Sequence, residues 1–138
     1  MLRYIAELAA NPQWRAPLAV SLGAVPGALA RYYLGLFCLQ WFGAGFPIGT
    51  FLINLSGAFI MGFFVTFILN RAIDSPDLRL LIAVGFLGSY TTFSTYALDI
   101  STLLRSGQLS LGLFYGLGSA GLGLLCLELG RFTANRLF

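Results

Sequence analysis

Long stretches without charge constrain this chain more than any other feature. No Asp, Glu, Lys or Arg stands between Arg31 and Arg71. The stretches from Arg79 to Asp99 and from Arg105 to Glu128 are equally bare. A helix needs roughly 20 apolar residues to cross the hydrocarbon core of a bilayer. Two of the gaps each fit one such helix, and the longest fits one helix plus its approach loop. A soluble domain carries about 25% charged residues. This chain carries 9%, with 58% hydrophobic residues, too few charges to cover a water-facing surface. Its main solvent is therefore lipid.

The pattern predicts an all-α integral membrane protein with a single domain over residues 1–138. Four transmembrane helices are expected near Pro17–Leu36, Pro47–Leu69, Leu80–Leu104 and Leu109–Phe132. The breakers between them are the Gly-rich Phe42–Pro47 stretch, Asn70–Asp77 with its Pro and charges, and Ser106–Gly107. The segment 1–15 has Arg3 but no long apolar core before Pro12, so it does not read as a signal peptide. Leu2, Ile5 and Leu8 could give it the apolar face of a short interfacial helix; the alternative is a partly ordered tail.

The net charge is +3 and every basic residue is Arg. These arginines are scattered at segment ends, as lipid-interface anchors and topology signals are, and not clustered as in nucleic-acid binding. An even number of spans puts Arg3, Arg15, Arg71, Arg79, Arg131 and Arg136 on one side of the membrane. Arg105 remains on the other, with Arg31 near it. The positive-inside bias then favours cytoplasmic termini. Cys38 and Cys126 are far apart in apolar surroundings and read as packing residues. The chain has no His, which excludes a His-Cys zinc site and a His-based triad. Gly23/Gly27, Ala58/Gly62 and Gly112/Gly116 have the small-xxx-small spacing that lets helix backbones approach closely.

Polar residues inside a span are candidates for function, because lipid offers them no partner. Arg31 either snorkels to an interface or stands at the mouth of an aqueous path, attracting anions. Asn54, midway along the second span, either bonds a neighbouring helix or faces a pore. The third span contains Gly85-Phe-Leu-Gly88-Ser-Tyr-Thr91-Thr92-Phe93-Ser94-Thr95-Tyr96. Glycine and threonine are poor helix formers, so the third helix is expected to be broken near its middle, freeing carbonyls that can coordinate a cation. The alternative is an intact helix whose hydroxyls bond back to preceding carbonyls. Asp99 follows near the end of that span, where interface water is within reach. Tyr115 and Ser119 share a face of the fourth helix, as a polar track or an isolated interhelical bond. Glu128 and Arg131 are expected to pair at the membrane edge. The intramembrane set has hydrogen-bond donors and ring edges, which are positive, but no central carboxylate. It suits a small anion and disfavours a proton-coupled cation exporter.

At Gly85-Phe-Leu-Gly88-Ser-Tyr-Thr91-Thr92-Phe93-Ser94-Thr95 the sequence resembles the Fluc/CrcB fluoride channels. The resemblance extends to Gly27-Ala-Leu-Ala-Arg31-Tyr in the first span and Gly49-Thr-Phe-Leu-Ile-Asn54-Leu-Ser-Gly57 in the second. Tyr115 and Ser119 continue it in the fourth. It implies a non-enzymatic, fluoride-selective channel of the plasma membrane, exporting the ion passively to reduce its toxicity. It also implies an antiparallel dimer with two pores and a sodium ion at the interface, held by the backbone carbonyls of Gly88 and Thr91. Asn54, Thr92, Phe93, Ser94, Thr95, Tyr96, Tyr115 and Ser119 match the fluoride pore, and Arg31 and Asp99 the vestibule. Tyr96 replaces the usual Phe, and Asp99 stands where relatives often carry Glu. The arginine bias raises a choice between a homodimer and a dimer with an oppositely inserted paralogue. Two other readings are a small multidrug-type transporter and an accessory membrane subunit. The first wants a carboxylate in the first span, and Glu7 lies before any span.

Overall fold

A computed structural model describes Met1 and residues 11–138. The expected interfacial helix over Leu2, Ile5 and Leu8 lies outside the described residues. Helix α1 (Pro12–Phe42) begins where Asn11 accepts a bond from the Gln13 N–H at 3.0 Å. Helices α2 (Ile48–Asn70) and α6 (Leu109–Leu137) are continuous. The third span, Pro76–Arg105, is not. It starts as α3 (Pro76–Arg79), winds as a π-helix over Leu80–Leu87, resumes as α4 (Gly88–Tyr90) and stops. After Thr91 and Thr92 it restarts as α5 (Phe93–Arg105). All four spans are long and apolar enough to cross a membrane.

The outer helices run past the ends read from sequence. Apolar length counts only the hydrocarbon crossing, whereas backbone hydrogen bonding continues until something stops it. For α1 the stop is Gly43, at φ +74°, whose N–H closes on the Leu39 carbonyl at 3.0 Å. Gly107, at φ +80°, closes the turn after α5, its N–H on the Leu104 carbonyl at 3.2 Å. Both conformations favour glycine.

Spans alternate in their packing. Helix α1 lies along the π-helical run, and α2 lies along α6. Both contacts are backbone-close. A Cβ on Gly23 would stand 2.8 Å from the Phe86 nitrogen, and Gly85 would meet α1 in the same way. The small-xxx-small pairs thus pack helices within one subunit. Few side chains are fully buried, chiefly Cys38, Ile68, Leu87 and Tyr115, while Phe114 and Leu117 face outward. Large apolar side chains on the outer surface are what a lipid solvent allows. Both cysteines are free. At the end of the molecule where both α2 and α6 finish, Asn70 donates to Asn135 at 2.9 Å and Arg71 lies over the Phe138 ring at 4.8 Å. Arg15 pairs with Asp77, and Glu128 with Arg131 at 2.8 Å.

Candidate functional site

The site forms around the break. Thr91 is extended at ψ 159°, and Thr92 at φ −149°, ψ 120°. In an unbroken helix the Thr92 N–H would donate to the Gly88 carbonyl, and the Thr95 N–H to Thr91. Here Thr92 donates to Asn54 Oδ1 at 2.9 Å, and Thr95 to Thr92 Oγ1 at 3.2 Å. Side chains have taken both donors, so the Gly88 and Thr91 carbonyls lose their helical partners. Asn54 Nδ2 also donates to the Thr92 carbonyl at 3.0 Å. One amide therefore satisfies both backbone groups of Thr92. Thr92 Oγ1 lies 3.0 Å from Thr95 Oγ1 and 3.3 Å from Ser94 Oγ, which completes the cap of α5.

Two hollows meet at Thr92. The first, about 430 Å³, has Asn54, Thr92, Phe93, Tyr96 and Ser119 in its wall. Ser119 Oγ is buried and has no hydrogen-bond partner among the described residues. Phe93 is 80% exposed at mid-span, beside the opening of this hollow. The second, about 510 Å³, is a cleft holding Arg31, Thr50, Thr95 and Asp99, with Thr92 again in its wall. Arg31 and Asp99 share it without an ion pair among the described residues. Ser94 is exposed and lines neither hollow.

Behind the break sits an aromatic layer. Tyr115 is 0% exposed and donates to Asp99 Oδ2 at 3.2 Å. Its ring lies 5.5 Å from both Tyr96 and Phe46. Tyr96 turns its hydroxyl to the Gly116 carbonyl at 2.7 Å, so it presents a ring, and not a hydroxyl, to the hollow. Tyr115 and Ser119, although on one helical face, look into different surroundings.

Some contributors are not singled out in the sequence reading. Thr50 enters the cleft, and Phe46 and Phe51 pack around Tyr115. Ser56 Oγ lies 2.8 Å from the Tyr90 hydroxyl on the far side of the break. Gly57 makes room for the Thr91 methyl group, since a Cβ there would overlap it. Gly57 and Ser56, close to Asn54 in sequence, are the signal that this stretch seats the break.

No cluster of His, Cys, Asp or Glu among the described residues could hold a metal, and the oxygens at the break are backbone carbonyls and hydroxyls. The released Gly88 and Thr91 carbonyls are the hard oxygen donors that an alkali cation takes, so the residues present fit such an ion.

Four spans, a broken third helix and a largely apolar hollow with a few hydrogen-bonding groups and no carboxylate define a small polytopic membrane protein of the channel type. Residues 18–131 match the family described as "CrcB-like protein, Camphor Resistance (CrcB)", and the chain belongs to it. A Synechocystis protein named "Fluoride-specific ion channel FluC" is 58% identical over 123 residues, covering 89% of this chain and 95% of the relative. One of the same name from Synechococcus is 52% identical over 125 residues, covering 91% and 96%. Another, from Chlorobium phaeobacteroides, is 43% identical over 123 residues, covering 89% and 95%.

Proposed function

We propose that this chain is a fluoride channel of the plasma membrane that lets the anion leave the cell passively. The observation that carries the reading is the hollow at the break. It offers a buried, unpartnered Ser119 hydroxyl, the second N–H of the Asn54 amide and the Phe93 ring, with no carboxylate in its wall. The names of the relatives point the same way. A small anion holds its water tightly, so donors along a narrow path must replace that water to let it pass. Fluoride enters the cleft between Arg31 and Asp99, passes Thr95 and Thr92, and reaches Asn54 and Ser119. A negative interior drives it outward with about 2.3 kcal/mol per 100 mV. No covalent step is needed, so the protein is not an enzyme. A small multidrug-type transporter is not favoured.

The working unit in this reading is an antiparallel dimer. A hollow that holds Asn54, Thr92 and Ser119 and opens at mid-span beside an exposed Phe93 would leave those few polar groups facing hydrocarbon, a costly arrangement. A second subunit closing over it removes that cost. Sodium, held by the Gly88 and Thr91 carbonyls, would supply fixed positive charge at the centre of the pair. The arginine asymmetry between the two ends favours a related, oppositely inserted partner. Expression of this chain alone tests that pairing: a functional homodimer with both orientations in one membrane would sink it.

The main test is fluoride efflux from liposomes containing this chain, purified alone and together with an oppositely inserted partner. Flux well above that of protein-free vesicles, with chloride excluded, is expected. No flux from protein shown to be folded and dimeric would defeat the reading.

A further inference from the structure

We propose that Asn54 is a positioning residue for the cation as well as a wall of the anion path, so that one side chain couples the two sites. The inference rests on the sodium reading given above.

The argument is one of donors and acceptors. The Gly88 carbonyl is available to a cation only while the Thr92 N–H is held elsewhere. Its holder is Asn54 Oδ1, at 2.9 Å, from a different span. Were Asn54 unable to accept, the Thr92 N–H would be left unsatisfied in a buried setting. The nearest remedy is to close the helix onto Gly88 and withdraw that oxygen. The second bond, from Nδ2 to the Thr92 carbonyl at 3.0 Å, fixes the amide plane and leaves one N–H for the hollow. The geometry that aims Asn54 at the hollow is therefore the geometry that releases Gly88. Thr95 is different, because in the open break its N–H is taken locally by Thr92 Oγ1 and not by Asn54. Linkage is reciprocal: a cation that requires the open break also stabilises the Asn54 orientation seen here.

The test uses the full-length protein in lipid nanodiscs. Thermal unfolding is followed as sodium chloride replaces choline chloride at constant ionic strength. Wild type should melt higher as sodium rises, which gives a midpoint. No sodium-dependent rise in wild type would remove the sodium reading and this inference with it. Given that rise, Asn54→Leu should need about tenfold more sodium, the scale of one lost hydrogen bond. An unchanged midpoint would overturn the coupling and leave the sodium site standing. If Asn54→Leu does not fold, Asn54→Asp decides. It keeps the acceptor for the Thr92 N–H, gives up the donor to the Thr92 carbonyl and puts a carboxylate in the anion path. Fluoride flux should fall at least tenfold while the sodium midpoint stays within about threefold of wild type or improves. A tenfold weaker midpoint in Asn54→Asp would overturn the inference.

Discussion

Substituting Gly62 with Ala tests the backbone-close contact between α2 and α6. Helix α2 runs along α6 with Gly62 set against the Leu127 backbone and Gly130 against Phe59 and Phe63. A Cβ on Gly62 would overlap the Leu127 carbonyl, lying 2.9 Å from its carbon. One on Gly130 would lie 2.8 Å from the Phe63 nitrogen and 3.0 Å from the Phe59 carbonyl carbon. Comfortable carbon contacts are about 3.5–4.0 Å, and neither obstacle is a flexible side chain, so the helices must separate by about 1 Å. A gap of about 0.5–1 Å forfeits a quarter to a half of each dispersion contact along the seam. The expected cost is about 1–3 kcal/mol for each substitution. Because one separation relieves both clashes, the double variant should cost less than the sum of the singles. Gly35→Ala is the control, since its Cβ would meet nothing within 4 Å and alanine favours the helix. Equilibrium unfolding in mixed detergent micelles gives the free energies. Wild-type stability in Gly62→Ala, equal damage in Gly35→Ala, or strict additivity of the pair would refute the reasoning.

Three further outcomes follow from single side chains. Ser119→Ala should lower fluoride flux about tenfold without loss of stability, because the hydroxyl makes no bond among the described residues and an unpartnered buried hydroxyl carries a desolvation cost; liposome flux and micelle unfolding read the two effects separately. Tyr96→Phe removes only the bond to the Gly116 carbonyl, so it should cost about 0.6 kcal/mol, the typical worth of an interhelical bond in a membrane, and retain flux within about threefold. Arg15→Ala breaks the solvent-facing pair with Asp77 and should change stability by less than about 1 kcal/mol, with the change shrinking further in added salt.

The crossings are legible because a span must be uncharged and apolar, and Arg31, Arg71, Arg79, Arg105 and Glu128 bracket the intervals plainly. The break is legible too, since Gly88 and the run Thr91, Thr92, Ser94, Thr95 combine weak helix formers with hydroxyls able to cap. Composition does not reveal who satisfies the break. The partner of Thr92 is Asn54, 38 residues away, and no local period connects them. The π-winding over Leu80–Leu87 is hidden for another reason: every residue there is apolar or Gly, so an extra residue in the turn shifts no visible pattern. Tyr96 shows the limit of reading a substitution by type. By type alone its hydroxyl could serve an ion or narrow a path, and only the structure shows that it donates to the Gly116 carbonyl.

The dependence of Thr92 on Asn54 also sets an order of events during synthesis. A lone third span entering the bilayer has no amide to take the Thr92 N–H and carbonyl, and hydrocarbon offers no substitute. Such a span lowers its cost by closing into one continuous helix, capped only by its own hydroxyls. The break must then open later, when the second span docks and Asn54 reaches it. Insertion and docking are separable stages for membrane helices. In this chain the partner of Thr92 lies on another span, so the broken helix is a product of assembly and not of any single segment.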